Sequence, residues 1–89
     1  MKNIYEVTID SCYGVKLARS MALRRCALEV PSLHYDFNKL FDPNDSTEEF
    51  SKKLGDFVKD KGLRILDEKP IVRIVDDRYR VDVRFKVTW

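Results

Sequence analysis

The sequence predicts an α+β fold: an antiparallel sheet of three to four strands with two or three helices packed on one face, in the order β-α-(α)-α-β-β. Three observations carry this. Residues 78–89 alternate without a break, Tyr79, Val81, Val83, Phe85, Val87 and Trp89 on one side, Arg78, Arg80, Asp82, Arg84, Lys86 and Thr88 on the other. That is the pattern of a strand with one buried and one wet face. Residues 46–62 carry a full set of helix signals. Finally, 89 residues that are 44% hydrophobic and 36% charged hold enough apolar material for a core, but at this length for only one, so residues 1–89 are expected to form one compact domain.

The elements follow in chain order. Residues 3–9 alternate, with Tyr5, Val7 and Ile9 on one side and Ile4, Glu6 and Thr8 on the other, which predicts a first strand. Asp10 to Gly14 is a break, with Gly14 free to take positive φ. From residue 15, Val15, Leu17, Ala18, Met21 and Ala22 share one arc of a helical wheel and Lys16, Arg19, Ser20 and Arg24 the opposite arc, predicting a helix to about Arg24. Beyond it Arg25 and Glu29 fall among the apolar positions, and Cys26, Leu28 and Val30 fit a short strand as well as a helix. The Ala, Leu, Met and Arg content favours helix, and Pro31 ends it. Ser32 then suits an N-cap, with Leu33, Phe37, Leu40 and Phe41 at i, i+4, i+7 and i+8 of a short second helix. Asp42-Pro43-Asn44-Asp45 has turn composition.

Ser46-Thr47-Glu48-Glu49 is a capping box. Phe50, Leu54, Phe57 and Val58 repeat at helical spacing, Glu48 and Glu49 precede Lys52 and Lys53 by four residues, and Gly62 suits the position just past the helix. Thereafter the pattern is β. Leu63 to Leu66 is apolar apart from Arg64, Asp67-Glu68-Lys69-Pro70 interrupts, Ile71 to Val75 is a strand, and Asp76-Asp77 turns. An even loop there pairs Ile74 with Tyr79 and Val72 with Val81, placing Val72 and Ile74 in the core and Ile71, Arg73 and Val75 outside. An odd loop would bury the Arg73 guanidinium, which is costly. The final strand, ~40 Å at ~3.3 Å per residue, outruns its neighbours. Its overhang has the preceding β region or a second copy to pair with, so a homodimer through this strand is one expectation.

Several function classes are excluded by residue type and spacing. A net charge of +2, from 17 Lys+Arg against 15 Asp+Glu, is not that of a general polyanion binder. Cys12 and Cys26 are too few for a disulfide framework and are expected as two buried thiols in a reducing compartment. There is no run of 18 apolar residues for a membrane span, and the N-terminus reads as a strand and not a signal peptide. A cytoplasmic protein with no membrane partner is the expectation. His34 is the sole histidine, and its neighbours Ser32 and Asp36 do not make a triad, which needs three converging side chains. The carboxylate pairs Glu48-Glu49, Asp67-Glu68 and Asp76-Asp77 have plainer roles as cap, loop and turn. Cys12, Cys26 and His34 lack zinc-ligand spacing, and Gly14, Gly55 and Gly62 are isolated, so no phosphate-binding loop exists. No enzyme, cofactor or metal is expected.

What remains is charge placed on elements. Residues 11–30 carry Lys16, Arg19, Arg24 and Arg25 against Glu29, a local +3; residues 31–50 carry Asp36, Asp42, Asp45, Glu48 and Glu49 against Lys39, a local −4. The outer face of the hairpin offers Arg73, Arg80, Arg84 and Lys86 against Asp82. The candidate partner-binding residues are therefore Arg19, Arg24, Arg25, Tyr35, Asp36, Arg73, Arg80, Arg84 and Lys86. In the predicted register Arg73 lies directly opposite Arg80. Like charges so placed cost stability, which an acidic protein surface or nucleic-acid phosphate would offset. The strand aromatics point to the core side, which argues against base stacking. Tyr35, Phe37 and Phe41 form either a second surface or a satellite of the core.

Ala18-Arg19-Ser20, Arg24-Arg25 and Pro31-Ser32-Leu33-His34-Tyr35-Asp36-Phe37 together are similar to a loose pattern in small phage-encoded proteins of unknown function. In size and layout the chain also resembles phage anti-defence proteins, anti-CRISPR proteins among them. The resemblance brings no functional residues with it. A small, charge-segregated domain with no catalytic constellation gives the expectation: a non-enzymatic phage-type accessory or inhibitor protein that binds a host or phage protein through its acidic segment, Asp36 to Glu49, or its basic hairpin face. The alternative is a nucleic-acid-binding module using the basic hairpin face.

Overall fold

The computed structural model describes residues 3–66, 69–76 and 80–89. In order these form β1 (Ile4–Cys12), α1 (Val15–Glu29), α2 (Pro31–Asn38), α3 (Thr47–Asp60), β2 (Arg64–Ile65), β3 (Ile71–Asp76) and β4 (Arg80–Thr88). The four strands make one antiparallel sheet with helices on one face, the predicted α+β architecture with β2 as an added short strand. Asp67 and Glu68, which the sequence assigned to a loop, Asp77, assigned to the turn, and Arg78 and Tyr79, assigned to the final strand, lie outside the described residues.

β4 is the centre of the sheet. One edge pairs with β1 from Ile4↔Thr88 to Cys12↔Val81. The other edge is divided between β2, at Arg64↔Thr88 and Ile65↔Val87, and β3, from Ile71↔Arg84 to Asp76↔Arg80. Both edges of β4 are thus occupied within the chain, so the long C-terminal strand has no free edge for a second copy. Its overhang beyond β2 is what β3 covers.

The hairpin has the expected parity but a different register. Ile74 pairs with Val81 and Val72 with Val83, two residues further along β4 than predicted. Ile71 and Arg73 still share the outer face. However, Val72 and Ile74, expected in the core, are 45% and 70% exposed. They stand on the core side of the sheet but past the reach of the helices. Arg73 lies opposite Asp82 and not Arg80, so the like-charge clash inferred from sequence does not exist.

The core forms between the other sheet residues and α1. Val7 and Ile9 of β1 and Val83, Phe85 and Val87 of β4 are buried, and against them lie Ala18, Ala22 and Cys26. These three recur at i, i+4 and i+8, one stripe of a helix. Their small side chains let the helix backbone sit close to the sheet. The sequence-based wheel put Val15, Leu17 and Met21 in this stripe; instead they are exposed. Buried Ala27 and half-buried Leu23 lie further round α1, part of the same core. Residues 25–29 are helical, and the two charges that spoiled the wheel have structural roles. Arg25 Nη1 donates to the Thr8 carbonyl of β1 (2.8 Å), and the Tyr5 hydroxyl donates to the Glu29 carboxylate. That hydrogen bond, with burial adding to it, holds the Tyr5 hydroxyl above its ordinary pKa.

α2 starts two residues earlier than predicted. Val30 is its N-cap and Pro31 its first residue, a position where the missing N–H costs nothing; Ser32 lies within the helix. It ends at Asn38, leaving Leu40 and Phe41 exposed. α3 carries the capping box: Ser46 Oγ accepts from the Glu49 amide and the Glu49 carboxylate from the Ser46 amide, both at 3.2 Å. Gly62 follows at φ +69, a left-handed conformation that glycine takes without Cβ strain. Phe37 packs edge-on against Phe50 and Phe57 (centroids 5.6 and 5.4 Å), joining α2 to α3.

Candidate functional site

The helices cover one face of the sheet, and the other face is open. Alternation along the strands decides what stands there. On β4 the core row is Val81, Val83, Phe85 and Val87, so the outer row is Arg80, Asp82, Arg84, Lys86 and Thr88. β1 adds Ile4, Glu6 and Thr8, and β3 adds Ile71 and Arg73. The pairing of Ile65 with Val87 puts Arg64, opposite Thr88, on the same side. Rows therefore run across three strands: Thr8–Arg84–Ile71 in the middle, with Glu6–Lys86 on one side and Arg73–Asp82 on the other.

The outer face carries an excess of cations over Glu6 and Asp82. Arg64, Arg73, Arg84 and Lys86 are exposed, and among the described residues none of their side chains makes a hydrogen bond or an ion pair. Asp82, which could offset two of them, is partly committed elsewhere: its Oδ1 accepts from the Ser11 amide (2.8 Å) at the bulge that ends β1. Thr8, Ile71, Arg73, Asp82 and Arg84 line an open depression of about 210 Å³. That is below the ~300–1,000 Å³ of typical small-molecule sites. The geometry suits a surface-to-surface contact and not an enclosed substrate.

No family model, curated protein or solved structure matches this chain. The reading of the site therefore rests on its own geometry.

The sequence-predicted residues divide into separate groups. Arg73, Arg80, Arg84 and Lys86 do share one face. Arg19 and Arg24 belong to α1, on the far side of the sheet, so the hairpin face and the first helix do not make one cationic surface. Arg25 is engaged with Thr8 and with Glu29 (3.7 Å). Asp36 forms an ion pair with Lys61 (2.8 Å) between α2 and α3, and that hydrogen bond holds its carboxyl below the ordinary Asp pKa. Asp45 is likewise lowered by its hydrogen bond from Lys53 (2.6 Å), and Lys53 is raised by the same contact. Asp36, a candidate partner-binding residue, and Asp45 of the same acidic segment therefore both fasten the helical layer. Tyr35 is exposed, with the Lys39 ammonium 4.5 Å from its ring centre. Arg64 was missed. The only signal for it was strand parity, and that requires knowing that β2 pairs with the far end of β4.

Other chemistry finds no assembled site among the described residues. No three His, Cys, Asp or Glu side chains gather as a metal site requires. Among the described residues every buried side-chain nitrogen or oxygen has a hydrogen-bond partner, so none of them is left unsatisfied in a cavity. Cys12 and Cys26 are both free and buried. Burial pushes the Cys26 thiol up to about 11, far from a reactive thiolate. No described helix is long and apolar enough to cross a membrane.

Proposed function

We propose that this chain is a small non-enzymatic binding protein that docks the open face of its sheet onto an acidic macromolecular surface. Such a mode fits a phage-type accessory or anti-defence inhibitor acting by protein–protein contact. The observation that supports the reading is the row of exposed cations, Arg64, Arg73, Arg84 and Lys86, without side-chain partners among the described residues. Ile4 and Ile71, 58% and 64% exposed, add apolar contact within the same face. That mixture suits a protein partner, where charge sets orientation and encounter rate while apolar area contributes affinity.

Affinity capture from host lysate tests it. The wild-type protein is expected to retain one protein in stoichiometric amount. The double variant Arg84→Glu/Lys86→Glu is expected to lose at least about tenfold in affinity, or 1.4 kcal/mol, while Arg19→Glu/Arg24→Glu is unchanged. Absence of a stoichiometric partner, or equal loss from both variants, contradicts the reading.

The second reading is nucleic acid. It is favoured by the spacing of Arg84 and Lys86 on alternate residues of one strand, which suits a run of phosphates. On that reading, mixed-sequence DNA or RNA binds at ~50 mM salt and weakens linearly in log salt.

A further inference from the structure

The two outer edges of the sheet are built differently. A strand edge presents unpaired N–H and C=O groups, and folds blunt it with charge, bulges or covering groups. β1 has all three devices. Arg25 caps its Thr8 carbonyl, its ladder bulges between Ile9 and Cys12 with Ser11 at φ 53, and Glu6 and Asp10 are exposed along it. β3 is less protected: among the described residues no side chain caps it, its ladder is regular from Ile71 to Ile74 and irregular only beyond, and it carries a single charge there. Its side chains are Ile71 (64% exposed), Val72 (45%), Ile74 (70%) and Val75 (40%), with one charge, Arg73. Apolar side chains therefore project on both faces of an edge that no described strand pairs with.

We propose that β3 pairs antiparallel with β3 of a second copy about a two-fold axis at Val72, joining two sheets into one. The occupant follows from the other edge. Head-to-tail addition would have to use β1, which is blocked, so a copy of this chain can add only edge-to-like-edge, an isologous contact that closes as a dimer. The register follows from the side chains. Opposed residues share a face, so the axis must pass through a residue position. At Arg73 it would set two guanidinium groups opposite each other. At Ile74 it runs into the irregularity between Ile74 and Asp76. At Val72 it sets Val72 against its own copy, Ile71 against the second copy's Arg73 stem, and Ile74 beside the second copy's Pro70. An edge contact of this kind belongs among small interfaces, below ~1,200 Å² of buried surface, so the dimer forms in a concentration-dependent way. The proposal shares Ile71 and Arg73 with the outer-face reading but does not use Arg84 or Lys86, so Arg84→Glu/Lys86→Glu separates the two: it leaves the dimer intact.

Sedimentation equilibrium over a concentration series to about 1 mM is expected to show the mass rising from one chain to two. Ile74→Lys, at an exposed position outside the core, is expected to restore the monomer. Val72→Cys is expected to form a disulfide dimer on mild oxidation. Directly opposed Cα atoms in antiparallel strands lie ~4.5–5.5 Å apart, within disulfide range, and the native thiols are buried. Ile4→Cys on β1 is expected not to crosslink. A monomer throughout the series overturns the proposal, as does a dimer indifferent to Ile74→Lys or lacking the Val72→Cys crosslink. A monomer that takes up an extended peptide along β3 overturns it too.

Discussion

Replacing Phe37 by alanine is expected to cost this protein about 4 kcal/mol of stability. Phe37 is 2% exposed and holds α2 to α3 through edge-on contacts with Phe50 and Phe57 at 5.6 and 5.4 Å. Phenylalanine-to-alanine changes in cores cost ~3–5 kcal/mol. Two aromatic contacts, each worth ~0.5–1.5 kcal/mol beyond area, place this site at about 4 kcal/mol within that range. A chain of this length has roughly 4–13 kcal/mol in total at ~0.05–0.15 kcal/mol per residue, so the variant loses from about a third to nearly all of it. Phe41 is the control. It meets only Phe50 edge-on (5.7 Å) and is 44% exposed, so Phe41→Ala is expected to cost about 1 kcal/mol. Urea unfolding followed by far-ultraviolet circular dichroism measures both, with the slope checked for constancy. If the two variants lie within about 1 kcal/mol of each other, the aromatic cluster is not the joint between the helices and the packing argument fails.

Two further outcomes are expected in the helical layer. Ser46→Ala removes the acceptor for the Glu49 amide and should lower the urea midpoint by the equivalent of about 1 kcal/mol; an unchanged midpoint contradicts the capping box. Asp36 and Asp45 are held below their ordinary pKa by hydrogen bonds from Lys61 and Lys53. A lowered folded pKa stabilises the fold above the unfolded value, about 3.9, and that stability is lost as pH falls through the folded value. Urea midpoints are therefore expected to begin falling below about pH 4, modestly because solvent screens such pairs, and Asp36→Asn/Asp45→Asn should flatten that fall. A slope unaltered in the double variant places the acid sensitivity elsewhere.

Local signals made α3 and β4 legible in the sequence. The capping box, the four apolar positions of α3 and the alternation of β4 all follow from short-range periodicity, and the structure keeps them. α1 was harder because it packs small side chains, Ala18, Ala22 and Cys26, against the sheet while larger ones stay outside. A wheel weighted by hydrophobicity turns toward Leu17 and Met21, whereas the core selects for close approach. The parity of the β3–β4 pair could be derived, since burying Arg73 is costly, but a shift of two residues keeps parity and so leaves no trace in the pattern. That shift separated Arg73 from Arg80 and carried Val72 and Ile74 past the helices. For the same reason the cationic face could be read from β4 alone, but not Arg64, whose side depends on a pairing between distant segments.

On β4 the residues that fill the core and those that face out are immediate neighbours: Val83, Phe85 and Val87 are fully buried, and Arg84 and Lys86 between them are exposed. The two rows share a backbone but no side-chain surroundings. Substitutions at Arg84 and Lys86 touch no packing, so most should be nearly neutral to stability, within ~0.5 kcal/mol. Single codon changes can then rewrite the charge pattern of that face while selection on folding stays silent. A sheet of this design has wide mutational latitude on one side and almost none on the other, which suits a surface that must keep pace with a changing counterpart.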